Sequence, residues 1–292
     1  MTSKNVSIIN MKGGVGKTTL SIHLAYYLAK HEHKKVLLID LDPQANASIV
    51  GIPESELNNH YKDLNKKTIF DLFFNWMQQY GPFPKISPPS ISLIDCYYQS
   101  YCSSDNNDYL HIIPSHIALS SILRGVSIGP YELEKFLTDQ AQNQYDFIII
   151  DCAPTYSVLT TLALNATKQV LIPMTAEPFG VHGTKLMKDV LKEHEHDYGG
   201  VEIKKIKIVG VVFTMWKKKM SLYAQKAETD IKGEWGTNNI FAEKISNDDN
   251  YKIMNGENFD GGSGNIDIME SGLHKPRKEE FKNFVKEFLE RI

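Results

Sequence analysis

The sequence has no long hydrophobic run and no apolar leader. Nowhere do about 18 consecutive apolar residues occur, the length that a membrane-spanning helix needs. The first residues, Met1 to Lys4, lead directly into a short β-type segment instead of the apolar stretch of a secretory signal. We therefore expect a soluble, cytoplasmic protein with no stable membrane association.

Cysteine and excess positive charge are also scarce. The three cysteines, Cys96, Cys102 and Cys152, include no Cys-x-x-Cys pair, which favours neither a disulfide framework nor a zinc site. Lysine and arginine total 32 against 35 acidic residues, a net charge of −3, so the chain has no global basic signature for nucleic acid. Any contact with DNA must therefore come from a local patch.

The composition that is present is that of a globular protein, and it predicts an α/β fold. Hydrophobic residues make up 42% of the 292 positions, and we expect one domain over residues 1–292. Unbroken apolar runs such as 36–39 and 147–150 alternate with helical patterns, which indicates a doubly wound, mostly parallel sheet. Two stretches are less regular, a helical and loop segment at about 51–110 and a Gly-rich loop at about 255–265.

A glycine-rich segment between the first strand and the first helix, NMKGGVGKTT at 10–19, carries the strongest signal. The glycines of such a loop let backbone N–H groups point at phosphate oxygens, and the helix adds its positive N-terminus. Lys17 is expected to contact the β- and γ-phosphates, and the Thr18 hydroxyl to coordinate Mg²⁺. The predicted nucleotide contacts are Lys12, Gly13, Gly14, Val15, Gly16, Lys17, Thr18 and Thr19.

Three aspartates follow apolar strands: Asp40 and Asp42 in LLIDLDPQ, and Asp151 in FIIIDCAP. The carboxyl ends of parallel strands meet at one edge of a sheet, so these carboxylates should converge on the glycine-rich loop. Carboxylates beside a triphosphate would repel it unless they serve the metal or the attacking water. We expect Asp40 and Asp151 near Mg²⁺, and Asp42 orienting or deprotonating the water.

These motifs resemble the ParA family of deviant Walker A ATPases. The likeness rests on the extra lysine before Gly13, on Asp-x-Asp-Pro-Gln at 40–44 and on the Walker B strand at 147–154, and it covers roughly residues 4–50 and 110–220. Two positions depart from the usual motifs. Met11 stands at the first glycine of the general Walker A pattern, and Ala153 stands where the family usually has proline.

The resemblance implies a P-loop NTPase that hydrolyses ATP with Mg²⁺. In the family the early lysine reaches the nucleotide of the partner subunit in a sandwich dimer, so Lys12 is implied to act in catalysis with Lys17 and Asp42, within an ATP-bound homodimer. Thr214 and Met215, at the end of a strand that lies near the adenine in the family, are implied nucleotide contacts. Hydrolysis by the chain alone is expected to be slow, well below the enzyme median of about 10 s⁻¹.

The implied function is plasmid or chromosome partition. The ATP dimer would bind duplex DNA nonspecifically and associate with the nucleoid, and a ParB-like or centromere-binding protein would release it by stimulating hydrolysis. Basic residues form the DNA face in the family, and the candidates here are Lys217, Lys218, Lys219 and Lys226. Because Glu228 and Asp230 are interleaved, a solvated charged face is the alternative.

Other functions stay open. A ParA-like ATPase could position a cargo other than DNA. A membrane-surface ATPase similar to MinD needs a basic amphipathic C-terminal helix, whereas residues 279–292 carry three basic and four acidic side chains, 3 − 4 = −1, so we expect their apolar face to pack on the core. An electron carrier similar to the nitrogenase reductase would need paired cysteines for its cluster.

Overall fold

The computed structural model describes residues 2–63, 65–80, 91–124, 128–198, 205–217, 219, 221–247 and 275–292. The expected Gly-rich loop at 255–265 and the candidate residue Lys218 lie outside the described residues. The strands are Lys4–Ile8 (β1), Lys35–Leu41 (β2), Tyr98–Cys102 (β3), Tyr109–Ile113 (β4), Phe147–Cys152 (β5), Gln169–Met174 (β6) and Lys207–Phe213 (β7).

Helices follow most of these strands along the chain. The α-helices are Lys17–Lys30 (α1), Asn46–Gly51 (α2), Glu54–Lys62 (α3), Ile69–Tyr80 (α4), Leu93–Cys96 (α5), Glu132–Gln140 (α6), Val158–Thr167 (α7), Pro178–Tyr198 (α8), Leu222–Trp235 (α9) and Lys275–Arg291 (α10). Two 3₁₀ segments are Ile117–Arg124 and Thr237–Asn239.

The strands form one seven-stranded sheet in the order β3-β4-β2-β5-β1-β6-β7, and every pair except β3 with β4 is parallel. Alternate residues of β2 enter different buried clusters: Leu37 and Ile39 pack with α4, α6 and α7, whereas Val36 and Leu38 pack with α1 and α10. Burial on both faces explains the unbroken apolar runs. The predicted doubly wound, mostly parallel sheet is confirmed.

The segment at about 51–110, expected to be helical and loop, contains one strand that the sequence did not indicate. Its described residues contain the helices α3, α4 and α5 and the strand β3, which pairs antiparallel with β4 at the edge of the sheet. The composition of β3, YQSYC, has no aliphatic residue, and its side chains are exposed or half-buried. An edge strand of this composition gives little apolar signal, which is why it was not predicted.

The C-terminal helix α10 packs on the core as expected. Four apolar side chains of this helix, those of Phe281, Phe284, Val285 and Phe288, are at most 1% exposed, and the Phe281 ring lies 6.0 Å from the His23 ring of α1. In this arrangement the apolar face is covered by protein. Among the described helices, none is long and apolar enough to cross a membrane.

Candidate functional site

The glycine-rich loop joins β1 to α1 at the carboxyl edge of the sheet. Gly14 and Gly16 have φ angles of 73° and 80°, a left-handed region in which a side chain would strain the backbone. Gly16 is also the N-cap of α1, and no side chain caps the helix there. The first backbone N–H groups of α1 therefore have no side-chain cap, which is the arrangement that binds phosphate groups.

Hydrogen bonds from neighbouring strands hold this loop in place. Asn10 donates through Nδ2 to the carbonyl of Pro173 at 2.8 Å and accepts the N–H of Lys12 at 2.9 Å. The Thr214 hydroxyl donates to the carbonyl of Val15 at 2.8 Å. Because Asn10 and Thr214 are both buried, these bonds fix the loop on two sides.

Lys17 is the buried lysine of the loop. Its side chain points inward, and Nζ donates to the main-chain carbonyl of Lys12 at 3.1 Å. Burial lowers the pKa of Lys17, while the charges of Asp151 and Asp42 oppose this effect. A cation held inside the loop and next to carboxylates is suited to offset phosphate charge.

Lys12 points outward, away from the interior of its own loop. Its Nζ lies 2.9 Å from Glu177 Oε2 and 3.4 Å from the Thr175 hydroxyl, both just beyond β6. The side chains of Lys12 and Glu177 are 29% and 61% exposed. The hydrogen bond with Lys12 is the main cause of the lowered pKa of Glu177. The two lysines of the motif therefore occupy different environments.

Asp40 and Asp151 are neighbours in register on β2 and β5, and both are fully buried. Burial raises the pKa of each carboxyl, and the Asp40 charge raises that of Asp151 further. The Ser21 hydroxyl donates to Asp151 Oδ1 at 2.9 Å, and hydrogen bonding with Thr18 also lowers the Asp151 pKa. The sequence prediction that these groups meet at one edge is confirmed.

One oxygen of this acidic pair fits a cation. Within the described part of the chain, Asp151 Oδ2 is buried and has no hydrogen-bond partner, an arrangement that native proteins rarely leave uncompensated. The described residues also contain no group of three or more His, Cys, Asp or Glu side chains able to hold a metal. Mg²⁺ commonly uses one or two protein ligands and takes the rest from phosphates and water, so the unpartnered Asp151 Oδ2 suits it.

Asp42 is the first residue of the turn after β2 and is 8% exposed. Its Oδ1 accepts the N–H of Gln44 at 2.9 Å, and its own N–H donates to Asp40 Oδ1 at 3.1 Å. The charge of Asp42 acts on the pKa of Lys17, so the carboxylate lies near the buried lysine. The turn thus presents Asp42 toward the loop with its backbone anchored.

A mainly apolar pocket opens beside Gly16 and the start of α1. Its lining comes from four parts of the chain: Gly16, Thr19, Leu20, His23, Thr214, Met215, Ile245, Ser246, Asn247 and Phe281. Thr214 and Met215 lie in this wall, and their contact with a nucleotide stays a prediction. A pocket of this composition next to a phosphate loop suits a flat heterocycle.

The described candidate DNA residues are all exposed. Lys217 and Lys219 are exposed beyond β7, and Lys226 is exposed on α9. The Lys217 charge lowers the pKa of Glu177, which places Lys217 at the rim of the phosphate loop. Lys217 therefore lies near the phosphate loop, whereas Lys226 belongs to helix α9.

Sequence reasoning missed several residues of the site. Glu177 follows the carboxyl end of β6, a position that the parallel-sheet rule marks as part of the site edge. His23 lies four positions after Thr19 on α1, so helical spacing could have indicated that both side chains share one face of the helix. Phe281 and Asn247 come from distant parts of the chain, and no local signal in the sequence indicates their position.

The fold and the loop together define a P-loop nucleotide-binding domain, and comparisons agree. Residues 3–203 match the family model described as an AAA domain. The chromosome partitioning protein ParA of Caulobacter vibrioides is 31% identical over 237 residues, 79% of this chain and 76% of that protein. The chromosome-partitioning ATPase Soj of Thermus thermophilus is 28% identical, with 80% and 77% covered.

A solved structure gives the same result. The crystal structure of a putative plasmid partition protein from Borrelia burgdorferi, bound to AMPPNP, has a TM-score of 0.69 and 26% identity and covers 100% of both chains. The chain belongs to the ParA family of ATPases.

Proposed function

We propose that this protein is an ATP-dependent dimerising ATPase that acts in plasmid or chromosome partition. The observation that carries the proposal is the division between the two loop lysines: Lys17 is buried inside the loop, whereas Lys12 points outward to an exposed rim. A lysine in that position is available to a second subunit. The related proteins from Caulobacter vibrioides, Thermus thermophilus and Borrelia burgdorferi are named for partition, which supports the same process.

The contact between Lys12 and Glu177 is one that dimerisation can replace. Exposed ion pairs of this kind contribute about 0–1 kcal/mol, because solvent screens them and both side chains lose rotamer freedom. A triphosphate on a partner subunit offers Lys12 several charged oxygens in a drier interface, where charge-assisted hydrogen bonds are stronger. ATP would therefore favour replacement of the contact between Lys12 and Glu177 by a contact between Lys12 and the partner's nucleotide.

Replacing Lys12 by alanine should abolish ATP-dependent dimerisation while leaving ATP bound to the monomer. Lys17 and the backbone of the loop would still hold the phosphates in cis, but the contact across the dimer would be lost. Light scattering with ATP and Mg²⁺ measures the mass directly, and Lys62→Ala, on the end of α3, is a surface control that should dimerise. Dimerisation of Lys12→Ala at the wild-type ATP concentration would contradict the role of Lys12.

The residues that would hold Mg²⁺ are Thr18 and Asp151, with Asp40 beside them. The ion held there would supply positive charge that offsets the negative charge of the phosphates. Lys17 would neutralise phosphate oxygens in both the ground state and the transition state. Asp42 would orient the attacking water or accept its proton, since its carboxylate lies near the same phosphate end of the site.

The pocket beside Gly16 would take the adenosine. Its apolar wall, which includes Met215 and Ile245, suits stacking with a purine, and the polar rim at Ser246 and Asn247 offers hydrogen bonds to the edge of a base. Glu280 holds this rim, since its carboxylate accepts the backbone N–H of Ser246 at 2.6 Å. The C-terminal helix would thus contribute to the nucleotide site as well as to the core.

DNA binding should depend on ATP and be indifferent to sequence. A monomer presents few lysines among acids, whereas a dimer aligns two patches along one duplex and neutralises more phosphates. Filter binding of random duplex with ATP, with ADP and without nucleotide measures this. Equal retention in all three states, or none in any, would favour a ParA-like ATPase that positions another cargo or acts at a membrane surface.

The same filter-binding assay tests the candidate DNA-binding lysines. Lys219→Gln with Lys226→Gln removes four positive charges per dimer, and at about 0.9 per phosphate contact the salt slope should fall by up to about 3.6. ATPase activity should be unchanged, because neither residue lines the nucleotide pocket. Lys217 is left intact because its charge acts on Glu177 at the loop. Lys62→Gln with Lys66→Gln is the matched control and should keep the wild-type slope.

A further inference from the structure

Both carboxylate oxygens of Asp40 are already hydrogen-bonded within the chain. Oδ1 accepts the backbone N–H of Asp42 at 3.1 Å. Oδ2 accepts the backbone N–H and the hydroxyl of Ser48, at 2.8 and 2.7 Å. Since Asp40 is fully buried, this side chain is held by three donors in a site that excludes solvent. Its contacts in this structure are therefore to the turn that follows β2.

The hydroxyl of Ser48 joins two parts of the fold. It donates to Asp40, and it accepts the backbone N–H of Ser115 at 2.9 Å, just beyond β4. The carbonyl of Ser115 in turn accepts the Tyr61 hydroxyl of α3 at 2.6 Å. Ser48 and Ser115 are both fully buried. The single hydroxyl proton of Ser48 is donated to Asp40, so the Ser48 oxygen can only accept the hydrogen bond from Ser115.

These hydrogen bonds form a network around the turn that carries Asp42. Ala45, the residue before α2, has a φ of 54°, and no side chain at that position caps the helix. Asp40 supplies the missing cap by accepting the N–H of Ser48 in the first turn of α2. A non-glycine residue in the left-handed region persists only where its surroundings over-determine it. The hydrogen-bond network of Asp40 and Ser48 restrains the backbone around Ala45.

We propose that Ser48 is a positioning residue for hydrolysis, acting through Asp40 on the placement of Asp42. The Ser48 hydroxyl orients the Asp40 carboxylate, and Asp40 holds the backbone N–H of Asp42 and thus the position of its side chain. This inference rests on the proposed function, in which Asp42 places the attacking water. It assigns the serine a part in the chemical step, although Ser48 lines neither the phosphate loop nor the nucleoside pocket.

Removing the Ser48 hydroxyl should slow hydrolysis without weakening ATP binding. A misplacement of about 1 Å in a catalytic group can cost about 100-fold in rate, so we expect kcat to fall roughly 10- to 100-fold in Ser48→Ala. Lys17, the loop glycines and the nucleoside pocket are untouched, so KM and the Kd for ATP should stay within about threefold. The ATP-bound dimer should also accumulate, because its exit by hydrolysis is slowed.

The experiment measures radiolabelled ATP hydrolysis, ATP affinity and mass by light scattering for wild type, Ser48→Ala and Ser7→Ala. Ser7 is an equally buried serine on β1 whose hydroxyl bonds to Ala163 and Thr167, so Ser7→Ala controls for the loss of a buried hydroxyl. It should keep the wild-type kcat. If Ser48→Ala does not fold, Ser48→Cys keeps the side-chain size with a much weaker donor and should show the same fall in kcat.

A kcat within threefold of wild type in Ser48→Ala, or in Ser48→Cys if that variant is needed, would overturn the inference. So would a parallel loss of rate and ATP affinity that Ser7→Ala shares, since that indicates a general loss of structure. If wild type itself neither hydrolyses ATP nor dimerises, the proposed function fails and the inference fails with it. If wild type does both and Ser48→Ala matches it, the inference alone fails.

Discussion

Asp42→Ala should bind ATP and dimerise, yet lose hydrolysis by about 100-fold or more, the range that a general base contributes. The carboxylate lies on the anchored turn after β2, and its proposed role concerns only the water. It is therefore needed in the transition state and not for holding the nucleotide, so kcat should fall while the Kd for ATP stays near wild type. Single-turnover hydrolysis and equilibrium binding of a fluorescent ATP analogue measure the two quantities.

Asp42→Asn is the matched control for that variant. An asparagine oxygen can still accept the Gln44 N–H, which Asp42 Oδ1 accepts at 2.9 Å, so the turn is preserved while the negative charge is removed. Hydrolysis should remain low. If Asp42→Asn hydrolysed ATP at the wild-type rate, the carboxylate would serve the turn alone, and the assignment of Asp42 to the water would be wrong.

Lys17→Ala should lose ATP binding altogether under ordinary assay conditions. Truncating one partner of a buried charge pair costs about 2–5 kcal/mol, which corresponds to roughly a 30-fold to several-thousand-fold weaker Kd. The change also leaves Asp151 and Asp42 without their nearby cation, so the remaining negative charge would repel the triphosphate. Isothermal titration with ATP and Mg²⁺ measures the affinity.

Lys30→Ala provides the comparison, because Lys30 ends the same helix, α1, far from the loop. It should bind ATP as wild type does. An equal loss of ATP binding in Lys17→Ala and Asp42→Ala would contradict the division between a residue that holds phosphate and one that places water.

The sequence predicted the parts of the fold that local patterns specify. A helix was predicted directly after the glycine-rich loop, and α1 begins there at Lys17. The strands leading to Asp40 and Asp151 were found because burial on both faces produces unbroken apolar runs.

The parts that sequence reasoning missed depend on contacts between distant segments. The pairing of Lys12 with Glu177 joins residues 165 positions apart, and Ser48 meets Ser115 across 67 positions. Neither contact leaves a periodicity or a motif in the chain. The nucleoside pocket is similar, since Phe281 reaches it only because α10 packs against α1. Such contacts become visible only when the sheet order is known.

The most direct test of the account is the mass of Asp42→Ala in solution with ATP and Mg²⁺, with ADP, and without nucleotide. This variant is expected to hold ATP unhydrolysed, so the dimer cannot decay during the measurement. Light scattering should give the mass of one 33.1 kDa chain with ADP or no nucleotide, and twice that mass with ATP. A single-chain mass in all three states, in protein shown to have ATP bound, would contradict an ATP-switched dimer.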